Sequence, residues 1–220
     1  MSARVDTAPS RRAATLADIQ RHRVSAIIRA GDRGKAERAM DAAVRGGFRI
    51  VEFTLTTPGA LDLVREFASR RDLVVGAGTV LDVQVAREAV AAGARFLVSP
   101  VTDPEVIRET LALDAVSIPG TSTPTEMLAA IRAGAEILKI FPAPADLPAF
   151  ITQVRGPFPD WRLFPTAGVT QQNVEAVLRA GAFGAGFVAS LFTPADMASG
   201  DYAAIENRAR VILETVRSIH

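Results

Sequence analysis

Short apolar runs alternate along the chain with stretches in which hydrophobic residues recur every three or four positions. The runs are rich in Val, Ile, Leu and Phe, which is typical of β-strands, and the stretches between them, such as residues 35–47 and 82–93, have the amphipathic pattern of a helix. Strands that alternate with helices in this way indicate a parallel sheet. The pattern predicts eight strands, at residues 24–29, 50–55, 73–80, 95–100, 115–120, 136–142, 162–169 and 184–190.

A glycine precedes every second predicted strand, at the end of a helical stretch. Gly47, Gly93, Gly134 and Gly181 lie 46, 41 and 47 residues apart, and each interval holds two strand–helix units. Glycine is common where a helix ends, but the even spacing also indicates eight similar units. Eight such units in one α/β domain of this length predict a small (β/α)8 TIM barrel. A doubly wound open sheet is the alternative, although no GxGxxG motif opens the first helix.

The composition is that of a folded domain with a sizeable core. Of the 220 residues, 49% are hydrophobic and 22% are charged, and the formal net charge is +1. This balance gives no indication of nucleic acid or an anionic membrane as a partner. The chain has no cysteine, which excludes disulfides and cysteine-bound metals. Its two histidines, His22 and His220, are too few for a His-based zinc site or a His-dependent catalytic triad.

The first fourteen residues, MSARVDTAPSRRAA, are polar and basic and lack the apolar core of a secretory signal. We predict that residues 1–14 form a disordered leader and that residues 15–220 form the barrel domain, with a targeting segment as the alternative for the leader. No apolar run is long enough to cross a bilayer. The expected location is therefore cytoplasmic.

Lys139 is unusual because it lies within an apolar strand, in AEILKIFPAP at residues 135–144. The chain has two lysines, Lys35 and Lys139, against 23 arginines, so arginine supplies nearly all of its positive charge. Alternate residues of a barrel strand face the interior, and a charged side chain is costly to place against the outer helices. We therefore expect Lys139 to face inward. The same argument turns Glu52 of IVEFTL inward, so that an amine and a carboxylate share one interior.

Two interpretations of this pair are open. A static buried ion pair would use arginine as well as lysine, and such pairs are weak evidence for stability. A desolvated lysine has a lowered pKa and forms imines with ketones, which arginine cannot do. We favour a nucleophilic Lys139, with the chemistry at the C-terminal ends of the strands, where enzymes with this fold place it.

The segment FPTAGVTQQN, residues 164–173, is a candidate anion site. It joins the seventh predicted strand to a helix through Ala167 and Gly168, and backbone N–H groups at such junctions often bind phosphate. An ordinary strand–helix turn is the alternative. The glycines of GAGTV, residues 76–80, either admit substrate or relieve crowding in a narrow barrel. Phe141 either packs over a bound ketoacid or belongs to the core.

Six short motifs, in this order along the chain, resemble one enzyme family. IVEFTL, GAGTV, VSP, PGTSTPTE, LKIFPA and PTAGV are similar to motifs of the class I aldolases that act on 2-keto-3-deoxy-6-phosphogluconate (KDPG) and 4-hydroxy-2-oxoglutarate (KHG), from about Thr15 to Phe192. The resemblance implies a (β/α)8 barrel that assembles as a homotrimer. It implies Lys139 as the imine-forming lysine and Glu52 as the general acid and base. The substrate-binding residues that it implies are Thr79, Pro100, Phe141, Thr166, Ala167, Gly168 and Ser190.

Two positions depart from the family pattern. Many members carry an arginine four residues after the glutamate, where this chain has Thr56. Thr56 stays a candidate contact, but we expect Arg29, at the end of the first strand, to hold the ketoacid carboxylate instead; a surface ion pair is the alternative for Arg29. The family's Gly-Gly pair is Ala167-Gly168 here, which would weaken phosphate binding if the first position needs an unusual backbone angle.

The function that the resemblance implies is cleavage of KDPG, its galactonate epimer or KHG to pyruvate and an aldehyde such as glyceraldehyde 3-phosphate, through a Schiff base. The stretch LTTPG is also similar to that of the galactonate-type relatives. The expected partner is a small phosphorylated keto acid, with no metal, organic cofactor, nucleic acid or membrane. The near absence of histidine disfavours a metal-dependent pyruvate aldolase. A non-catalytic phosphate-binding barrel, acting as a sensor or partner protein, is the alternative from another class.

Overall fold

A computed structural model describes residues 9–219. In this part of the chain helices and strands alternate as the apolar pattern predicts. No helix in it has both the length and the apolar character needed to cross a membrane. The strands are β1 (Val24–Ile28), β2 (Ile50–Thr54), β3 (Val74–Gly78), β4 (Phe96–Val98), β5 (Val116–Ile118), β6 (Gly120–Thr121), β7 (Leu138–Ile140), β8 (Leu163–Pro165) and β9 (Ala185–Phe187). The helices are α1 (Arg11–His22), α2 (Arg33–Arg45), α3 (Ala60–Ala68), α4 (Val83–Ala91), α5 (Pro104–Ala112), α6 (Pro124–Ala133), α7 (Leu147–Arg155), α8 (Val174–Arg179), α9 (Pro194–Ser199) and α10 (Tyr202–Arg217).

The strands form a parallel α/β sheet that curls around an apolar interior. Six strands pair in the order β5-β4-β3-β2-β1-β9, and three pair in the order β6-β7-β8. Pro119, which has no N–H group for a ladder, separates β5 from β6, so the predicted strand at residues 115–120 is divided in two. Every one of the eight predicted strands contains an observed strand; the observed strands stay within the predicted bounds, except that β6 extends one residue further, to Thr121.

Alternate residues of the strands pack on opposite faces of the sheet, as the alternation along each strand predicts. Ile50 and Ile137 belong to the inner apolar cluster, which also holds Phe96 of β4 and Phe164 of β8. Val51 and its alternate neighbours on β2 instead pack against the helices in the outer cluster. The interior is narrow, because a Cβ atom at position 76 would clash with the Phe96 ring. The inner cluster lies toward the N-terminal ends of the strands and forms the floor beneath the polar residues of the opposite end.

Helix α1 corrects the prediction of a disordered leader for residues 11–14. Residues 1–8 of that leader lie outside the described residues, but α1 already begins at Arg11, whose guanidinium donates to the carbonyl of Leu113 at 2.7 Å. Ile19 of α1 is only 1% exposed and belongs to the inner cluster. Basic residues favour a disordered leader in the sequence, yet Arg11 and Arg12 make polar contacts with the folded domain, while an apolar face of α1 covers the lower end of its interior.

The glycine repeat is a feature of the fold. Gly47, Gly93, Gly134 and Gly181 all have φ between 99° and 114°, in the left-handed region where a side chain is strained. Each follows a helix and turns the chain into a strand of the sheet. The predicted strand–helix units therefore end where the repeat indicates.

Candidate active site

A cavity of about 360 Å³ opens at the C-terminal ends of the strands and brings together nine of the eleven predicted site residues. The two exceptions are Thr56 and Pro100. The predicted residues that line it are Arg29, Glu52, Thr79, Lys139, Phe141, Thr166, Ala167, Gly168 and Ser190.

Glu52 lies at the bottom of this cavity, on the inner face of β2. Its neighbours in the sheet are Ile27 of β1 and Gly76 of β3, and its side chain reaches the space over Gly78, where a Cβ atom would clash with the carboxylate. The glycines of GAGTV therefore relieve crowding in the interior. Glu52 is 3% exposed. Burial raises its pKa to about 7, although the positive charges of Lys139 and Arg29 act in the opposite direction.

Lys139 enters the same cavity from β7, between Gly120 of β6 and Phe164 of β8 in the sheet register. Its Nζ atom lies 4.8 Å from the centre of the Phe141 ring. Burial lowers the pKa of the amine; the Glu52 carboxylate opposes this shift, and the charge of Arg29 adds to it. Desolvation thus favours the uncharged form of both groups.

The static ion pair that the sequence left open is not formed. Within residues 9–219, neither Lys139 nor Glu52 takes part in a salt bridge within 4.0 Å, and the same holds for Arg29. The amine and the carboxyl group therefore line one cavity with their reactive atoms free to meet a bound molecule. Arg29 is exposed at the mouth of the cavity, just after the end of β1.

The loop after β8 and the end of β9 form the opposite wall. The Ser190 hydroxyl donates to the carbonyl of Val169 at 2.7 Å, and the Asn173 side-chain amide donates to the carbonyl of Gly168 at 2.7 Å. Gly168 has φ 71°, whereas Ala167 is not among the residues with a left-handed backbone. The alanine that replaces the family's first glycine is therefore unstrained, because only the second position requires glycine.

Thr79 is a further backbone outlier at the site. It has φ 64°, which is rare and costly for a β-branched residue. Thr56 is exposed outside the cavity, and its hydroxyl lies 3.1 Å from that of Thr54. Pro100 lines a separate hollow that it shares with Phe141. The half-exposed position of Phe141, at the border of the cavity and this hollow, shows that it is not a core residue.

Several lining residues were not among the predicted site residues. Thr54 follows Glu52 by two positions on the same strand, so the alternation that placed Glu52 inside also identifies it. The others carry no chemical signal in the sequence, because they are apolar or lie in a loop: Ile27, Val169, Thr170, Val188 and Ala189.

A larger cavity, of about 590 Å³, adjoins the first at Arg29 and extends between the start of α2 and α9. Lys35 lines it, but neither Lys139 nor Glu52 does, so the amine and the carboxyl group of the candidate site share the smaller cavity. Over residues 9–219, no three His, Asp or Glu side chains lie close enough together to hold a metal ion.

Comparison with protein families and with individual proteins gives matches to the same kind of aldolase. A family model described as KDPG and KHG aldolase matches residues 16–208. The chain is 36% identical over 180 residues to a 2-dehydro-3-deoxy-phosphogluconate aldolase of Pseudomonas aeruginosa, which covers 79% of this chain and 80% of that one. It is 34% identical over 179 residues to a protein of Rhizobium meliloti named as a probable 2-dehydro-3-deoxy-6-phosphogalactonate aldolase, covering 80% of this chain and 84% of that one.

A solved structure extends the similarity to the fold. It is described as KDPG aldolase from Legionella pneumophila with pyruvate captured at low pH as a covalent carbinolamine intermediate. The two chains superpose with a TM-score of 0.81 and 25% sequence identity, over 90% of this chain and 97% of the other.

Proposed function

Because this chain belongs to the family of KDPG and KHG aldolases, we propose that it is a class I aldolase that cleaves a 2-keto-3-deoxy sugar acid 6-phosphate, or KHG, to pyruvate and an aldehyde. The observation that supports this most directly is the cavity that Lys139 and Glu52 share. Relatives named for the gluconate and galactonate substrates match the chain about equally well, at 36% and 34% identity. Both epimers therefore belong to the proposed substrate class.

Lys139 is the proposed nucleophile. Its neutral amine attacks the C2 ketone of the substrate, and the resulting carbinolamine loses water with a proton from Glu52 to give a protonated imine. Burial favours the neutral amine that this step needs. The Legionella pneumophila structure, in which pyruvate is captured as a carbinolamine, supports the same first step here.

Glu52 is the proposed general base and acid. Its carboxylate takes the proton of the C4 hydroxyl, the C3–C4 bond breaks, and the electron pair moves into the imine to give an enamine of pyruvate. The aldehyde leaves, Glu52 returns the proton to C3, and water then hydrolyses the imine. A carboxyl group with a pKa of about 7 exists in both forms near neutral pH, which suits a group that gives and takes protons.

The remaining contacts in this proposal bind the ends of the substrate. Arg29 holds the carboxylate, and Phe141 packs beside the imine carbon. Thr166, Ala167, Gly168 and Ser190 are the proposed phosphate contacts, for which the left-handed Gly168 and the adjacent Ser190 hydroxyl are the support. Thr79 and Pro100 complete the proposed rim of the site.

We also propose a closed eight-stranded barrel and a homotrimer. In support of closure, Phe183 just before β9 donates a backbone hydrogen bond to Leu163 of β8 at 2.9 Å. In support of assembly, Val101 is 49% exposed and Phe141 37% exposed around one hollow, and exposed apolar patches often mark interfaces. Light scattering should then give three times the chain mass. A cytoplasmic location stays a prediction from the sequence.

The decisive test uses the two lysines of the chain. We expect incubation with pyruvate and sodium borohydride to inactivate the protein and to leave a reduced pyruvate adduct on Lys139, as mapped by mass spectrometry. Lys35→Met is the matched control and should give the same adduct, whereas Lys139→Met should give none. Turnover with an unmodified Lys139 would refute the imine. A Lys139→Arg variant with unchanged ligand binding, beside a wild-type protein without turnover, would favour a silent phosphate-binding barrel.

A further inference from the structure

Thr54 is the last residue of β2 and lines the catalytic cavity two positions after Glu52. It is 3% exposed, so its hydroxyl group has lost most of its contact with water. A buried hydroxyl needs hydrogen-bond partners, since an unpaired one is costly. The identity of those partners decides what Thr54 can offer to a bound molecule.

Two neighbouring hydroxyl groups lie within hydrogen-bond distance of the Thr54 hydroxyl, and one backbone group acts on this cluster. The backbone N–H of Ala30 donates to the Thr57 hydroxyl oxygen at 3.1 Å. The Thr57 hydroxyl oxygen lies 3.4 Å from the Thr54 oxygen, and either group can be the donor. The Thr56 hydroxyl lies 3.1 Å from the same oxygen. A hydroxyl oxygen accepts two hydrogen bonds, so when both neighbours donate, Thr54 is left with its own hydrogen, which is free to point into the cavity.

The sheet register sets Thr54 beside Arg29. Ile28, the last residue of β1, pairs with Phe53 of β2, and the same register continued by one residue past the end of β1 would set Arg29 opposite Thr54. The bond from Ala30 to Thr57 ties the ends of these two strands together immediately beyond this pair. Arg29 and Thr54 both line this cavity, so a guanidinium and a hydroxyl group are available there to donate to the two oxygens of one carboxylate.

We propose that Thr54 is a substrate-contacting residue that donates its hydroxyl hydrogen to the carboxylate of the bound ketoacid, together with Arg29. This inference rests on the proposed function for the identity of the ketoacid. It also explains how the chain recognises an acid without an arginine at position 56: Thr56 is outside the cavity, and its hydroxyl supports that of Thr54.

The test measures the affinity for pyruvate, which carries the carboxylate but no C4 hydroxyl, by isothermal titration calorimetry. Thr54→Val keeps the shape and removes the donor, and we expect it to weaken pyruvate binding roughly 10- to 100-fold, as for the loss of a hydrogen bond to a charged group. Thr54→Ser keeps the hydroxyl and should bind within about threefold of the wild type. Thr215→Val, which removes an exposed hydroxyl on α10, is the matched control and should bind like the wild type.

Four results would overturn the inference. The first is a Thr54→Val variant that binds pyruvate as tightly as the wild type. This result would overturn the inference even if the KM of a C4-hydroxylated substrate rises in the variant. Equal losses in Thr54→Ser and Thr54→Val would assign the effect to packing. A larger loss in Thr56→Val than in Thr54→Val would assign the contact to Thr56. A wild-type protein that binds no pyruvate would remove both this inference and the proposed function, whereas pyruvate binding without a borohydride adduct would refute the imine alone and leave the Thr54 comparison decisive.

Discussion

Replacing Glu52 by glutamine should stabilise the folded protein at alkaline pH, although it removes the carboxyl group that is the proposed acid and base of the reaction. Burial raises the pKa of Glu52 from 4.5 to about 7. Each unit between the folded and unfolded pKa values corresponds to about 1.4 kcal/mol, so ionising this buried group costs the folded state roughly 3 kcal/mol. Glutamine has nearly the same shape and no proton to lose, and it avoids that cost.

The pH dependence of the difference follows from proton binding. Between the unfolded pKa of 4.5 and the folded pKa of about 7, the folded wild type keeps a proton that the unfolded chain releases. The free energy of unfolding of the wild type therefore falls as the pH rises through this range. Glu52→Gln lacks this contribution, so we expect its stability relative to the wild type to increase by about 2–3 kcal/mol between pH 5 and pH 8.

Urea denaturation followed by the fluorescence of Trp161, the one tryptophan of the chain, measures this difference. Protein concentration is held constant, because assembly would also shift apparent stability. Glu214→Gln, at an exposed position on α10, controls for the substitution itself. This prediction is refuted if the difference in the free energy of unfolding between Glu52→Gln and the wild type stays constant between pH 5 and pH 8. It is also refuted if the wild type becomes more stable relative to the variant as the pH rises.

Two further substitutions test the interior of the curled sheet. Gly78→Ala places a methyl group in the space of the Glu52 carboxylate. We expect steady-state kinetics to show that kcat falls at least about a hundredfold, as when a positioned proton-transfer group is lost. Turnover at the wild-type rate would show that the glycine is not needed to seat Glu52. Ile19→Ala leaves a cavity in the inner cluster where α1 covers it. Urea titrations should show that the free energy of unfolding falls by about 2–5 kcal/mol. A loss below about 1 kcal/mol would mean that α1 does not unfold together with the rest of the domain.

The sequence sufficed for the strands and for the inward orientation of Lys139 and Glu52, because both depend on local alternation. Placing Lys139 inward required only that a charge avoid the outer apolar layer, and the same rule oriented Glu52. Side-chain contacts over long distances gave no such signal. The bond between Arg11 and the carbonyl of Leu113 joins positions about a hundred residues apart, so the first turn of α1 reads as a polar leader until the fold is known.

The effect of the two departures from the family pattern depends on backbone geometry, which the motifs do not specify. Whether Ala167 is tolerated depends on one φ angle, and the left-handed residue is Gly168 rather than its neighbour. Whether Thr56 touches a ligand depends on where β2 ends: the strand stops at Thr54, and the chain turns outward. Aligned motifs identify equivalent positions, but they do not show which of two adjacent side chains faces the cavity.

The same burial shifts the pKa values of Lys139 and Glu52 toward the protonation states that the proposed reaction needs. An exposed lysine is protonated at neutral pH and an exposed glutamate is ionised, so neither could start the reaction without first changing its state. Within the curled sheet, desolvation lowers the pKa of Lys139 and raises that of Glu52, so that the neutral amine and the proton-carrying carboxyl become accessible together. An arginine at position 139 would keep its charge under the same conditions. The stability lost by burying an ionisable pair is thus a consequence of the arrangement that makes the pair reactive, and removing the Glu52 charge should recover stability and abolish turnover in one step.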